Sequence, residues 1–255
     1  MTQQEKAKLF KELHVKGTPV ILFNSWDAGS TKTIANQGAK AMALGSHGVA
    51  NANGYEDGQN ISLELVLENA KRSAEATELP LSLDFETGYG DTTEEIKQSV
   101  SKALETGIVG VNIEDQISGG ESLYEISEQV ERLKAVREAA DSYGLELFIN
   151  ARTDLFKNAD PATHNQELLD KALERAEAYA AAGADGFFVP GLRDIELIKK
   201  LTDASPLPVN IIWLDGMVTP AEIATAGASR ISYGPGPYLK MIAWLEEQAK
   251  TALNN

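Results

Sequence analysis

The chain has no cysteine. That excludes disulfides, thiolate metal sites, and any thiol nucleophile or thiol proton donor. Positive charge is also scarce: 23 Lys and Arg stand against 38 Asp and Glu, a net charge of -15 over 255 residues. A nucleic-acid surface needs clustered Lys and Arg to neutralise phosphates, and no basic stripe occurs, so no nucleic-acid partner is expected. No segment approaches the roughly 18 uninterrupted apolar residues of a membrane span. The opening MTQQEKAKLFKELHVKG is charged and amphipathic, without an apolar run of signal length. A soluble, cytoplasmic protein with no membrane partner is expected.

What is present is enough apolar sequence, 43% of residues, to build a large core as one α/β domain or two smaller ones. Eight short β-rich runs recur along the chain: 19–24, 40–46, 79–85, 108–114, 146–151, 185–190, 208–214 and 229–234. Helical faces lie between them, in Leu63, Val66, Leu67, Ala70 and Ala74, in Ile96, Val100, Ala103 and Leu104, and in Leu168, Leu169, Ala172, Leu173, Ala176 and Ala180. Thr92 with Glu95 and Thr219 with Glu222 have capping-box spacing, and Pro220 suits a first helical position. Gly38, Gly107, Gly183 and Gly227 each close a helix just before a strand, where a left-handed residue is needed.

Eight βα units with no linker match a (β/α)8 TIM barrel in number and size, with residues 1–255 as a single domain. A doubly wound open sheet would usually use fewer strands and carry a glycine-rich nucleotide loop after the first. Here that place reads Asn24-Ser25-Trp26-Asp27-Ala28-Gly29-Ser30.

The C-terminal strand ends of such a barrel form its active-site face, and polar residues gather there. They are Asn24 and Asp27, Ser46 and His47, Asp84 and Glu86, Glu114 and Asp115, then Asn150, Arg152 and Asp154. Asp84 and Glu86, at spacing two, are expected on one strand face, with Glu114 on the adjacent strand. Carboxylates so grouped repel one another unless a cation offsets them, and oxygen ligands without cysteine favour Mg²⁺ or Mn²⁺ over zinc. Asp27, Asp115 and Asp154 also read as helix caps or loop residues. His47 is a ligand, a proton donor, or a loop hydrogen-bonding residue. Of the three histidines, His14 and His164 lie in polar segments and are expected at the surface. Arg152, following an apolar strand, reads as a buried anion clamp.

Asp57 in GYEDG, Asp84 and Glu86 in DFETGYG, Glu114 in GVNIEDQ and Arg152 in NARTD together resemble the isocitrate lyase and phosphoenolpyruvate mutase superfamily. NSWDAGS, AMALGSHGVA, AYAAAGADGFFVPG and GASRISYG extend the resemblance over most of the chain. It implies a (β/α)8 barrel, a Mg²⁺ ion, and a small carboxylate substrate passing through a pyruvate-like enolate. By position, Asp84 is the implied direct metal ligand, and Asp57, Glu86 and Glu114 hold metal-bound waters. Gly45, Ser46 and His47 match the turn that binds the substrate's carboxylate and oxo oxygen. Arg152 matches the arginine facing the carboxylate or developing enolate, and Arg152, Glu114 and Asp57 form the implied catalytic set.

The departures narrow the expectation. Isocitrate and methylisocitrate lyases carry a loop cysteine assigned as proton donor, whereas here Asp115 to Tyr124 reads DQISGGESLY. The phosphonate branch has a lysine and an asparagine in that loop and a histidine after the sixth strand, where this chain has Pro190. The sequence is therefore similar to the cysteine-free, short-chain subgroup. That resemblance implies a Mg²⁺-dependent carbon–carbon lyase or decarboxylase acting on a small 2-oxo or 2-hydroxy dicarboxylate. Phosphonomutase or phosphonopyruvate hydrolase chemistry is the alternative, and a carboxylate-binding barrel without turnover is a second. Trp213, Leu214 and Pro190 are expected to form one apolar wall. A homo-oligomer, dimer or tetramer, is implied, with the last helix exchanged between subunits and Met241, Trp244 and Leu245 as its apolar edge.

Overall fold

In the computed structural model, which describes residues 1–120 and 122–254, every one of the eight apolar runs forms a strand. Glu121, in the stretch Asp115 to Tyr124, and Asn255 lie outside the described residues. The strands are β1 (Val20–Leu22), β2 (Met42–Leu44), β3 (Leu81–Asp84), β4 (Gly110–Glu114), β5 (Phe148–Arg152), β6 (Gly186–Phe188), β7 (Val209–Ile212) and β8 (Arg230–Ser232). They form one parallel sheet in the order β1-β8-β7-β6-β5-β4-β3-β2. Ser25, just past β1, bridges Leu44: its N–H donates to the Ala43 carbonyl at 2.9 Å and its carbonyl accepts from Gly45 N–H at 3.0 Å. That seam brings the sheet round into a nearly closed TIM barrel.

Helix α1 (Gln3–Glu12) precedes β1 and α2 (Ala28–Ala35) follows it. Helices α3 (Ser46–Ala52) and α4 (Leu63–Glu75) follow β2, α5 (Thr93–Leu104) follows β3, and α6 (Ile126–Tyr143) follows β4. Helices α7 (Leu155–Asn158) and α8 (Gln166–Ala181) follow β5, then α9 (Ile195–Ala204), α10 (Pro220–Thr225) and α11 (Gly236–Leu253) follow β6, β7 and β8. The expected faces are the packed ones: Val66 and Ala70, then Ile96, Val100, Ala103 and Leu104, then Leu169, Ala172 and Ala176 are buried. Both capping boxes form, and Pro220 opens α10. Gly38, Gly107, Gly183 and Gly227 have φ of 89°, 92°, 97° and 99°, the left-handed geometry that ends each helix and launches the next strand.

The end of the barrel opposite the site is plugged by α1. Phe10 meets Phe148 edge-on at 5.4 Å, and a Cβ on Gly110 would lie 2.8 Å from Phe10, so glycine is what lets the helix sit over the start of β4. His14 is buried here, stacked on Phe148 at 4.0 Å with Nδ1–H donating to the Phe10 carbonyl at 2.7 Å. The surface position expected for it is thus corrected: α1 seats Phe10 on the strands, and the turn that follows the helix carries His14 inward.

Strand register decides what reaches the active-site face. Asp84 pairs with Asn112 and Asn112 with Asn150, while Glu114 pairs with Arg152. The shared strand face expected for Asp84 and Glu86 is not formed. β3 ends at Asp84, and Glu86 sits in the following turn at a left-handed φ of 50°, so a turn rather than strand alternation aims its carboxylate.

Candidate active site

Asp84 leaves the end of β3 largely buried. Ser46 Oγ donates to its Oδ2 at 3.1 Å and Asn112 Nδ2 to its Oδ1 at 3.3 Å. From β5, Arg152 Nη1 lies 2.8 Å from Glu114 and 3.9 Å from Asp84. The other edge of the guanidinium is held by Asp154, with Nε and Nη2 donating to its two oxygens at 2.6 and 2.8 Å. Burial works against charge on Arg152, but Glu114, Asp154 and Asp84 outweigh it and hold the proton more firmly than in water. Burial pushes the Glu114 carboxyl up to about 7, with Arg152 opposing and Asp154 and Asp84 adding to the rise.

Glu86 is gripped from outside the barrel. Gln59 N–H donates to Oε2 at 2.6 Å and Tyr89 OH to Oε1 at 3.1 Å. Gln59 also donates from its amide to Thr87 Oγ1 and accepts from Tyr89 N–H, so the loop before α4 is stapled across the β3 turn. Burial, then the charges of Asp84, Asp57 and Glu114, push the Glu86 carboxyl up to about 8. Asp57 comes from that same loop, with Oδ2 3.8 Å from His47 Nδ1.

This electrostatic load fits a cation. Among the described residues no three His, Asp or Glu side chains converge closely enough to hold an ion together. A set built around one inner carboxylate, with others at a further remove, suits an ion that keeps most of its water, as Mg²⁺ does, rather than a tightly caged one. Glu86 and Glu114 are already bound to Tyr89, Gln59 and Arg152, so they would reach such an ion through water rather than directly.

The remaining acids are structural. Asp27 caps α2. Asp115 is fully buried and accepts from Asp154 N–H, Arg175 and Tyr179 OH at 3.0, 3.0 and 2.9 Å. Asp154 orients Arg152 and also takes Lys157 at 2.7 Å.

Above these residues opens a cavity of about 420 Å³. Gly45, Ser46, His47, Asp57, Asp84 and Arg152 line it together, while Glu86 and Glu114 stand behind this lining. Its apolar wall includes Trp26, Phe156, Phe188, Pro190, Ile212 and Leu214. Trp213 is not part of it: its indole N–H donates to the Val218 carbonyl at 2.9 Å and its ring meets Tyr233, because alternation along the chain turns it away from Leu214. His164, expected at the surface, lines the cavity instead, held by Nε2–H on the Phe156 carbonyl at 2.9 Å.

Asn112 and Arg193 also line the cavity and were not picked out from the sequence. Asn112 had a readable signal, an amide in the middle of the apolar run IVGVNIE. The loop 115–124 contributes nothing to this lining among its described residues; it folds on itself through a Gln116–Leu123 bridge and an Ile117 N–H to Ser122 carbonyl bond of 2.8 Å.

Residues 10–253 match the family described as phosphoenolpyruvate phosphomutase. An uncharacterised protein of Mycobacterium tuberculosis H37Rv is 32% identical over 236 residues, covering 90% of this chain and 83% of that one. The 2-methylisocitrate lyase of Shewanella oneidensis is 29% identical over 250 residues, covering 93% and 82%. Among solved structures, a proposed phosphonomutase from Burkholderia cenocepacia J2315 is 45% identical, spans 98% of this chain and 99% of its own, and has a TM-score of 0.96. The barrel of 2,3-dimethylmalate lyase, at 21% identity and a TM-score of 0.85 over 100% of this chain and 88% of that one, shares the fold.

Proposed function

Because the chain belongs to the phosphoenolpyruvate phosphomutase family, we propose that it is a carbon–carbon lyase or decarboxylase that works with Mg²⁺, or Mn²⁺, on a small 2-oxo or 2-hydroxy dicarboxylate through a pyruvate-like enolate. The observation that carries this reading is the clamped Arg152, 2.8 Å from Glu114 and 3.9 Å from Asp84 beside the cavity. Cleavage of a bond to the carbon beside the 2-oxo group leaves an electron pair on that carbon that moves onto the oxo oxygen, and the site's task is to stabilise that charge. Asp84 would hold the ion directly, with Asp57, Glu86 and Glu114 reaching it through water. Bound there, the ion supplies positive charge opposite the developing oxyanion.

The chain's own residues do the rest. Gly45, Ser46 and His47 meet the substrate's carboxylate and oxo oxygen. Arg152 presents a guanidinium that needs no reorganisation, since Asp154 fixes its plane and Glu114 its end. Trp26, Phe188, Pro190 and Leu214 keep water from the reacting carbons. No thiol acid is available, which favours a reaction that does not require one.

Likeness at 45% identity to a proposed phosphonomutase favours a second reading, phosphorus–carbon chemistry on a phosphonate analogue of the same acids. A product screen over oxaloacetate, hydroxylated dicarboxylates and phosphonopyruvate separates the two. Pyruvate-type product that stops with a chelator and in Asp84→Ala supports the lyase; phosphate release from phosphonopyruvate alone would replace it with the second reading. We also read residues 1–255 as one domain that forms a homo-oligomer through α11. Its Leu239, Trp244 and Leu245 are exposed at 49%, 59% and 50%, and light scattering on a Trp244→Glu variant tests the assembly.

A further inference from the structure

The cationic side chains that line the cavity differ in how they are partnered. Arg152 is neutralised by Glu114 and Asp154, and Lys157 by Asp154 at 2.7 Å, with Gln116 accepting a further bond at 3.0 Å. Arg193 is exposed and has no acidic partner among the described residues. The acid beside it, Asp194, is already committed to capping α9, accepting from the N–H groups of Glu196 and Leu197 at 2.9 Å each. In a chain of net charge -15, a cavity guanidinium without an acid is a free anion-binding group.

Its position in the barrel says which part of a ligand it would meet. Gly45, Ser46 and His47 follow β2 and Arg193 follows β6, four strands away around an eight-stranded barrel, so the two groups face each other across the mouth. Apolar side chains from α7 and from the ends of β6 and β7 and the residues just past them lie along the cavity wall: Phe156, Phe188, Pro190, Ile212 and Leu214. The backbone of Gly191 (φ 90°) packs so closely on α7 that a Cβ would come within 2.5 Å of Lys157 N, which locks the loop carrying Arg193 against the segment carrying Phe156. The anionic contact is therefore built on a fixed support. A cavity of about 420 Å³ also exceeds what the smallest 2-oxo acids fill.

The geometry points to Arg193 as the group that binds the distal carboxylate of the substrate, a dicarboxylate whose two acid ends are separated by more than one methylene. This rests on the assignment of the Ser46 and Asp84 side to the 2-oxo end. Arg193 is a specificity residue for chain length and second charge, and takes no part in breaking the bond.

Calorimetric titration with Mg²⁺ present tests it, using oxalate as a short probe confined to the Asp84 side and 2-oxoadipate as a probe that spans the cavity. Loss of a charge-assisted contact in Arg193→Met should weaken 2-oxoadipate by about tenfold to a hundredfold and leave oxalate within about twofold. Arg193→Lys should restore part of the loss. Equal affinity of wild type and Arg193→Met for 2-oxoadipate, or equal weakening of both probes, would overturn the assignment of Arg193 while leaving the 2-oxo end intact. Wild-type protein that binds neither probe would overturn both that assignment and the reading of the site on which it rests.

Discussion

Arg152 is the residue on which the proposed chemistry leans most heavily, and its geometry makes a specific demand. One planar group meets Asp154 along one edge and Glu114 at its end. Lysine keeps the charge but cannot make the forked contact and reach Glu114 together. Arg152→Lys should therefore fold, by circular dichroism, yet lose about a hundredfold or more in kcat, the scale of a removed oxyanion donor. Much at this scale was legible because the chain places Asp84, Glu114 and Arg152 where apolar runs end. Glu86 lies beside Asp84 as expected but is aimed by a turn rather than by the strand, since no alternation rule foresees a left-handed glutamate there. Arg193 and His164 were unreadable as cavity residues: what they face depends on which strands become neighbours when the barrel closes.

At the scale of elements, the αβ turns were legible because glycine answers a backbone requirement that few residues meet. The four turns are not equivalent, however. At Gly38 a Cβ would meet nothing within 4 Å, whereas at Gly227 it would lie 2.7 Å from Thr202 Oγ1 and 3.0 Å from Lys16 Cε. Gly38→Ala should cost about 1 kcal/mol, the penalty of a left-handed alanine alone. Gly227→Ala adds crowding against α9 and should cost about 1–3 kcal/mol more. Urea unfolding of the two variants side by side checks this, and equal midpoints would contradict it. The strand boundaries came out shorter than the apolar runs, because residues such as Pro19 and Asn24 flank the ladder without joining it.

Over the whole molecule, the barrel is tied to α1 at one end and to its cavity at the other, and each end has its own signature. Burial, and then the positive charge of Arg230, push the His14 pKa down from 6.5 to about 3. The unfolded chain then takes up a proton first as pH falls, so stability drops from pH 6.5 toward 3, by roughly 2 kcal/mol at pH 5. Comparing urea-derived stabilities at pH 7 and pH 5 for wild type and His14→Gln isolates this contribution, which the variant should lack. No helix among the described residues is long and apolar enough to cross a membrane.

At the other end, Asp84 and its neighbours are proposed to form a metal-dependent cradle for an enolate-like anion. Oxalate, planar with two adjacent carboxylates, mimics that anion, and its calorimetric titration is the most direct measurement. The account predicts binding in Mg²⁺ that disappears with a chelator and in Asp84→Ala. Oxalate bound equally well without the ion, or by the Asp84→Ala protein, would contradict it.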